Sequence, residues 1–395
     1  MNTSQKFPYG KHYLDEDDIL AVEKVLRSSN LTQGTKVTEF EHAVANYVGS
    51  KYAVAVSSGT AGLHIAAIAA GLSPGKSLVT SPITFVASAN AGLYVGANVL
   101  FADIDKETIN ISPTELKHVL QTHENVQAIV PVHFAGLPCD MPAIKQLADE
   151  AGAVVIEDAA HALGASYPDG TKVGCCLHSL MTIFSFHPVK VIATGEGGMI
   201  TTNDKDIYHR LLRLRSHGIE KGNEPLIYPD QKDKDGLQAS WYYEMQEIGY
   251  NYRISDIHCA LGLSQLAKID RFILRRRELV RTYDKEFAKM PHCKPAQMVG
   301  RDKSAHHIYV LRINFGLIGM SRQRFMQELK EIGIGTQVHY IPVPMQPKYR
   351  QLGHSVYKYN NTVEYYNEAI SIPLYYSLSD SEQAQVITAI KNLLG

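Results

Sequence analysis

The chain has 395 residues, 45% of them hydrophobic and 20% charged, with a formal net charge of −1. That length exceeds a typical single domain, so one large and one smaller domain are expected, with ample apolar material for a core. So neutral a balance excludes both the basic footprint of a nucleic-acid binder and an acidic tail. The opening MNTSQKFPYGKHYLDEDD carries no apolar run of the kind a secretory leader needs. No window holds the roughly 18 uninterrupted apolar residues of a membrane-spanning helix. Five cysteines (Cys139, Cys175, Cys176, Cys259 and Cys293) make an odd set without C-x-x-C spacing. Free thiols in a reducing compartment fit that set, so a cytoplasmic protein without membrane or nucleic-acid partners is expected.

In chain order, short β-rich runs alternate with helix-like segments from about residue 50 to 205. YAVAV (Tyr52–Val56) precedes TAGLHIAAIAAGL, and SLVTS (Ser77–Ser81) precedes TFVASANAGLYVG. NVLFADI leads into ISPTELKHVLQ, where Ser112 suits a helix cap and Pro113 the first turn. QAIVPVHF precedes MPAIKQLADEAG, and AVVIEDAAH closes the series. Near-continuous apolar strands between helices predict a mostly parallel sheet covered on both faces, with ligands outside the carboxyl ends of its strands. The polar stretch Glu220–Ser240 reads as a surface loop. SDIHCALGLSQLAKIDRFILRRRELVRTYDKEFAKM reads as one long helical segment able to connect two domains. The strand-like HIYVLRINF, the helix-like RQRFMQELKEIG and a last helix at EQAQVITAIKNLL complete a small α+β domain. The expected division is a large α/β domain at 1–265 and a small C-terminal α+β domain at 266–395.

Three features of the large domain bear on chemistry. VSSGTAGLHIA passes from a strand into a helix at Thr60, and a helix start with free N–H groups and a hydroxyl suits a phosphate. Alone, Ser-Gly-Thr more often just caps a helix. VVIEDAAHA sets Glu157, Asp158 and His161 at a strand end, where a carboxylate is either solvated or held by a partner. FSFHPVKVIATGEGG places Lys190 among residues unlike a surface, and a desolvated lysine has the free amine that a Schiff base requires. Ser185 adds a second hydroxyl, and GEGG suits a tight turn into GMITT. No G-K-[ST] or G-x-G-x-x-G nucleotide loop occurs, nor H-E-x-x-H, and Cys175-Cys176 with His178 lacks a ligand spacing, so no metal is expected. Phosphate site, aromatic, strand-end acid and lysine, in that order, are what pyridoxal phosphate needs.

With these residues the sequence resembles the DegT/StrS family of pyridoxal-phosphate sugar aminotransferases over nearly its whole length. The matching pieces include PYGKHYLDEDD, NLTQGTKVTEFE, VAVSSGTAGLHIA, SPITFVASANA, VIEDAAHALGA, FSFHPVK, TGEGGM, GYNYRISDIHCALG and VHYIP. The resemblance implies an aspartate-aminotransferase-like α/β fold, of PLP fold type I. It implies that Lys190 is the Schiff-base and proton-transfer residue, that Asp158 pairs with the pyridine nitrogen, that Phe85 stacks on the ring and that His161 lies near the ring oxygen. Thr60, Ala61 and Ser185 would bind the phosphate. Asn251 would reach it from the partner of an obligate homodimer, with Arg253 assisting. Tyr9, the run Leu31, Thr32, Gln33 and Gly34, and the run His339, Tyr340, Ile341 and Pro342 would contact the sugar nucleotide, as would Ala61, Ser185, Asn251 and Arg253. Without the resemblance, Phe85 would read as a core aromatic and Tyr9 and His339 as surface residues.

FSFHPVK and HYIP most resemble family members on the route to pseudaminic acid. The implied reaction is amination at C4 of a UDP-linked 4-keto-6-deoxy-HexNAc by L-glutamate, giving UDP-4-amino-4,6-dideoxy-N-acetyl-β-L-altrosamine, with pyridoxamine phosphate between the half-reactions. Sugars of the perosamine or bacillosamine type are the alternative. Dehydratase relatives carry histidine where Lys190 stands, and a non-catalytic regulator would have no use for Asp158, Ser185 and Lys190 together. Many relatives have a histidine two residues after HYIP, where this chain has Pro344 within Val343-Pro344-Met345.

Overall fold

The computed structural model describes residues 6–222, 224–228, 234–237 and 239–395; residues 223, 229–233 and 238 of the expected polar loop lie outside the described residues. The N-terminal part of the chain folds as a three-layer α/β/α unit. Its sheet consists of β1 (Tyr52–Val56), β2 (Ser77–Thr80), β3 (Asn98–Phe101), β4 (Val126–Val130), β5 (Val154–Asp158), β6 (Met181–Ser185) and β7 (Gly198–Thr202), in the order β1-β7-β6-β5-β4-β2-β3. Helices α1 (Glu16–Leu26) and α2 (Thr35–Val48) precede it; α3 (Gly59–Ala69), α4 (Val86–Tyr94), α5 (Pro113–Thr122) and α6 (Met141–Ala151) lie between its strands, and α7 (Lys205–Arg215) follows.

Both faces of the sheet are covered, which is why the strands read as continuous apolar runs. Val54, Val56, Ile156, Ile183 and Ile200 pack with Leu63, Leu211 and Leu214 of α3 and α7. The alternate residues Ala53, Ala55, Val155, Phe184 and Met199 pack with Phe40, Val44 and Ile144 of α2 and α6. Helix starts follow local chemistry: Ser58 accepts from the Ala61 N–H and Ser112 from the Glu115 N–H, with Pro113 in the first turn of α5.

The sheet is mostly parallel, as expected, and β7 is the exception, running antiparallel to both β1 and β6. Parallel neighbours need a long crossover, usually a helix, whereas the connection from β6 to β7 is an irregular loop that simply turns back. That loop carries Lys190, and its return sets Gly198 opposite both Val56 and Ser185.

After β8 (Ile219–Glu220) and β9 (Glu244–Met245), which pair at the base of the polar loop, the expected long helix is two. Only Ala267 and Lys268 separate helix α8 (Asp256–Leu266) from α9 (Ile269–Phe287). Lys268 stands at the break with its ammonium on Asp15 and Asp18, and Gln265 donates to the Tyr13 carbonyl and to Asp18. The start of α1 therefore clamps the junction. Helix α9 then runs from one core into another: Phe272 and Ile273 pack with the large sheet, Tyr283 and Phe287 with the C-terminal unit.

The C-terminal unit has an antiparallel sheet of β10 (Cys293–Pro295), β11 (Tyr309–Ile313) and β12 (Ala369–Ile372), with α10 (Arg322–Glu331), α11 (Pro347–Gln351), α12 (Asn360–Glu368) and α13 (Asp380–Leu394). Phe7, bridged to Ile334, belongs to this core. All five cysteines are free. No helix among the described residues is long and apolar enough to cross a membrane.

Candidate active site

The carboxyl ends of β1, β5 and β6 open onto a cavity of about 600 Å³, a usual size for a small-molecule site. Its lining includes Ser58, Gly59, Thr60, Phe85, Asp158, His161, Ser185 and Lys190 from the large unit, and Gln337–Ile341 from the C-terminal part. Strand alternation aims Asp158 to the same side of the sheet as Ile156, toward α3 and α4, and aims Glu157 to the opposite side.

Lys190 sits in the turn after β6, its N–H bonded to the His187 carbonyl at 2.8 Å. Burial lowers its ammonium to about 8, and the negative charge of Asp158 works against that shift. Among the described lining residues it is the only lysine, and there is no arginine. Gly195 takes a left-handed φ of 88° within the following turn, a conformation that suits glycine.

The Asp158 carboxylate is buried and held at both oxygens. Ser88 donates to Oδ2 at 2.6 Å and the Ala160 N–H to Oδ1 at 3.1 Å. Because the Ser88 proton goes to the carboxylate, Thr84 donates to Ser88 across their 2.7 Å contact. Each carboxylate oxygen still has lone-pair capacity for a further donor in the cavity.

At the other end of the cavity, Ser58 Oγ takes the Ala61 N–H, leaving those of Gly59 and Thr60 at the positive end of α3. A Cβ on Gly59 would lie 3.0 Å from Ser185 Cβ, so the helix start and Ser185 are close neighbours. Two open N–H groups with the Thr60 and Ser185 hydroxyls form an anion cradle.

Aromatic rings close the opposite wall. The Tyr340 hydroxyl meets His161 Nε2 at 3.0 Å, and Phe85 packs against Tyr340 with centroids 6.2 Å apart. His307 lies 4.4 Å from His161, and Tyr9 lies 5.4 Å from His339, whose Nδ1 is 2.7 Å from Ser371 Oγ. Burial, aided by the positive Lys190, drives His161 far below the usual histidine range and His339 down to about 3. Burial raises the Tyr340 phenol well above its ordinary value. The wall thus carries no charge at neutral pH, and it faces Lys190 and the carboxylates of Asp158 and Glu196.

Sequence expectation and geometry part at several places. Phe85 is 58% exposed and lines the cavity, so the core reading fails for it; His339 is buried and Tyr9 half-buried, both lining the cavity, so the surface reading fails for them. Ala61 and Pro342 are buried outside the lining. Leu31, Thr32, Gln33, Gly34, Asn251 and Arg253 also lie outside it. The run Leu31–Gly34 instead docks on the start of α8, where Thr32 bridges Ser255, the Leu31 carbonyl takes the Asp256 N–H and the Asp256 carboxylate takes the Gly34 N–H at 2.8 Å, while Asn251 bridges Ser216. Sequence reasoning missed Ser88, His307, Glu196, Gln337 and Gln346. Only Ser88 carried a signal, as a hydroxyl four residues after Thr84 in an alanine-rich helix.

Residues 12–391 match the DegT/DnrJ/EryC1/StrS aminotransferase family. The chain belongs to that family. It is 38% identical over 389 residues to the spore coat polysaccharide biosynthesis protein SpsC of Bacillus subtilis, covering 98% of this chain and 97% of that protein. It is 37% identical over 372 residues to the UDP-4-amino-4,6-dideoxy-N-acetyl-β-L-altrosamine transaminase of Campylobacter jejuni, covering 94% and 93%. Among solved structures, Helicobacter pylori PseC, an aminotransferase of pseudaminic acid biosynthesis, superposes with a TM-score of 0.88 at 30% identity over 98% and 99% of the two chains. The PLP form of the putative sugar aminotransferase Spr1654 from Streptococcus pneumoniae gives 0.86 at 27%, over 98% of each.

The protein is accordingly a pyridoxal-phosphate-dependent sugar aminotransferase. The cavity fits that cofactor on its own terms, with an anion cradle for a phosphate, a buried carboxylate for a protonated ring nitrogen, and a lysine whose amine is readily freed of its proton.

Proposed function

We propose that the enzyme transfers the amino group of L-glutamate to C4 of a UDP-linked 4-keto-6-deoxy-HexNAc, giving UDP-4-amino-4,6-dideoxy-N-acetyl-β-L-altrosamine. The observation that carries the reading is the convergence of Lys190, Asp158, Ser185 and the α3 N-terminus on one cavity. When bound, the cofactor supplies an aldehyde that condenses with amines and a protonated ring that accepts electrons.

In this reading Lys190 would hold the cofactor covalently between turnovers. Its amine, once displaced by the donor, takes the proton from the donor's α-carbon and later delivers one to C4 of the sugar. A single lysine is then anchor and general base, and positioned proton transfer is worth roughly a hundred- to ten-thousand-fold in rate. Asp158, fixed by Ser88 and the Ala160 N–H, would hold the ring nitrogen; Thr60 and Ser185 would hold the phosphate, and Phe85 would cover the ring. Tyr9 and the His339–Ile341 segment flank the sugar. The run Leu31–Gly34 and the residues Asn251 and Arg253, all outside this cavity, serve the cavity of a second copy in a homodimer. That assignment fits a lining with no arginine of its own for a diphosphate.

Another nucleotide-linked 4-keto-6-deoxy sugar is the second reading. Pro344 is buried in a short helical turn off the cavity, so this rim carries Gln346 and lacks an imidazole at the position where relatives have one.

The test is an absorption spectrum of the purified protein with and without L-glutamate, beside Lys190→Ala. Wild type should show a visible cofactor band that bleaches with glutamate and returns with the right UDP-linked keto sugar, and the variant should lack the band. A protein that stays colourless with added pyridoxal phosphate would sink the reading. Return of the band only with a sugar of another configuration would select the second.

A further inference from the structure

Behind Asp158, on the opposite side of the sheet, lies a polar cluster that the proposed reaction does not use. Glu157 is fully buried and takes four donors: His133 Nε2 at 2.7 Å, the Tyr167 hydroxyl, Ser179 Oγ at 2.5 Å and Thr182 Oγ1 at 3.1 Å. The state of His133 follows from its other contact. Its Nδ1 accepts the Cys139 N–H at 3.0 Å, so that nitrogen carries no proton, and the Nε2–H donates to Glu157. Burial works to raise Glu157, but the interaction with His133 first, and then the bonds from Ser179 and Tyr167, outweigh it and hold the group below the usual carboxylate range. Glu157 is therefore a buried anion, one residue from Asp158.

The same histidine reaches Asp158 through the backbone. His133 N–H donates to the Asp158 carbonyl at 3.1 Å, and the Asp158 N–H donates to the Pro131 carbonyl at 2.9 Å. A closed ring results: Asp158 is bonded to His133, His133 to Glu157, and Glu157 to Asp158 by the chain. Ser179 and Thr182 tie the neighbouring strand β6 into it. Ser88 and Ala160 fix the Asp158 carboxylate from the front, and this ring fixes its backbone from behind. A buried network with every member bonded holds geometry more firmly than its separate pairs would.

We infer that Glu157, acting through His133, is a positioning residue for Asp158, and that its charge adds to the negative field at the cofactor's ring-nitrogen site. The inference rests on the reading above that Asp158 meets that nitrogen. It separates two effects of losing Glu157. Loss of packing would weaken any ligand of the cavity, whereas loss of aim and field at the ring nitrogen weakens only a ligand that has one.

The experiment compares dissociation constants of two ligands from the cofactor-free protein: pyridoxal phosphate, and an analogue whose ring nitrogen is replaced by C–H. In Glu157→Gln the affinity for pyridoxal phosphate should fall about tenfold relative to that for the analogue. Ser179→Ala removes one donor at a half-buried position and keeps the fold within reach; its relative loss should be about threefold. The two affinities falling together, or neither falling, in whichever variant folds, would overturn the inference. Asp158→Asn is the reference. If it too fails to separate the ligands, the assignment of Asp158 to the ring nitrogen is what fails; if it separates them and the Glu157 and Ser179 variants do not, the positioning role alone is wrong.

Discussion

The hydroxyl of Tyr340 and Nε2 of His161, 3.0 Å apart, join the C-terminal part of the chain to the large unit within the aromatic wall of the cavity. Tyr340 belongs to a strap tied at one end to the C-terminal sheet, through the Gln337–Ser371 bridge, and at the other to the loop after β2, through the Val343 N–H and the Pro82 carbonyl. Phe134 packs edge-on against both rings. In Tyr340→Phe the ring stays and the hydroxyl goes, leaving Nε2 of a buried histidine whose Nδ1 already has no partner among the described residues. An unpaired buried polar atom costs about 1–3 kcal/mol. The unfolding free energy of the variant should fall by that amount, seen as a lower urea midpoint at unchanged slope, and an unmoved midpoint would show that the contact contributes nothing to holding the strap.

Lys190 should betray its surroundings before any cofactor is added. Burial takes it to about 8, while Asp158 holds it up. In the cofactor-free protein its modification by an amine-selective reagent, followed by mass spectrometry, should rise through pH of about 8, well under the ordinary lysine value of about 10.4. In Asp158→Asn the rise should move lower still, because the restraining charge is gone. The sign for stability follows. The folded value lies below the unfolded one, so between them the unfolded chain binds more protons, and this group's contribution to stability increases from pH of about 8 towards 10.5. A labelling midpoint near that of ordinary lysines would contradict the desolvated site.

Gly198 fixes how closely β7 approaches the anion cradle. A Cβ there would lie 2.6 Å from the Ser58 carbonyl carbon and 2.7 Å from the Gly59 nitrogen, both backbone atoms that cannot swing aside. Gly198→Ala should push the start of α3 away from Ser185, and overpacking of this kind costs about 1–3 kcal/mol. Equilibrium dialysis should show weaker binding of pyridoxal phosphate and of inorganic phosphate alike. Unchanged affinity for both would mean that the cradle does not depend on this approach.

The alternation of strands and helices was legible because both sheet faces are covered, and that condition writes itself into the sequence as YAVAV and VVIED. The direction of β7 was not, since strand polarity depends on what the connection does in space, and GMITT has the same apolar pattern either way. Lys190, Asp158 and Ser185 stood out because each is a polar group where the local pattern demands an apolar one. Phe85 and His339 carried no such mark. An aromatic at a helix start and a histidine in an irregular segment look alike whether buried or open, and only packing decides. Glu157 was visible as a strand-end acid, but its partners His133, Tyr167 and Ser179 lie 24, 10 and 22 residues away, with no periodicity to link them.

Phe85 gives the sharpest separation of stability from function. At 58% exposure, standing at the start of α4, it contributes little to the core, yet it faces the cavity beside Tyr340. Surface substitutions away from special features usually change stability by less than about 0.5 kcal/mol. Phe85→Ala should therefore unfold at nearly the wild-type urea concentration. Loss of a ring stacked on the cofactor should cost about 0.5–1.5 kcal/mol, a twofold to tenfold weaker hold on pyridoxal phosphate. Titration of the cofactor-free variant, followed by the quenching of protein fluorescence, measures that loss directly. The reverse pattern, a destabilised protein that binds the cofactor normally, would return Phe85 to the packing role that its sequence alone suggested.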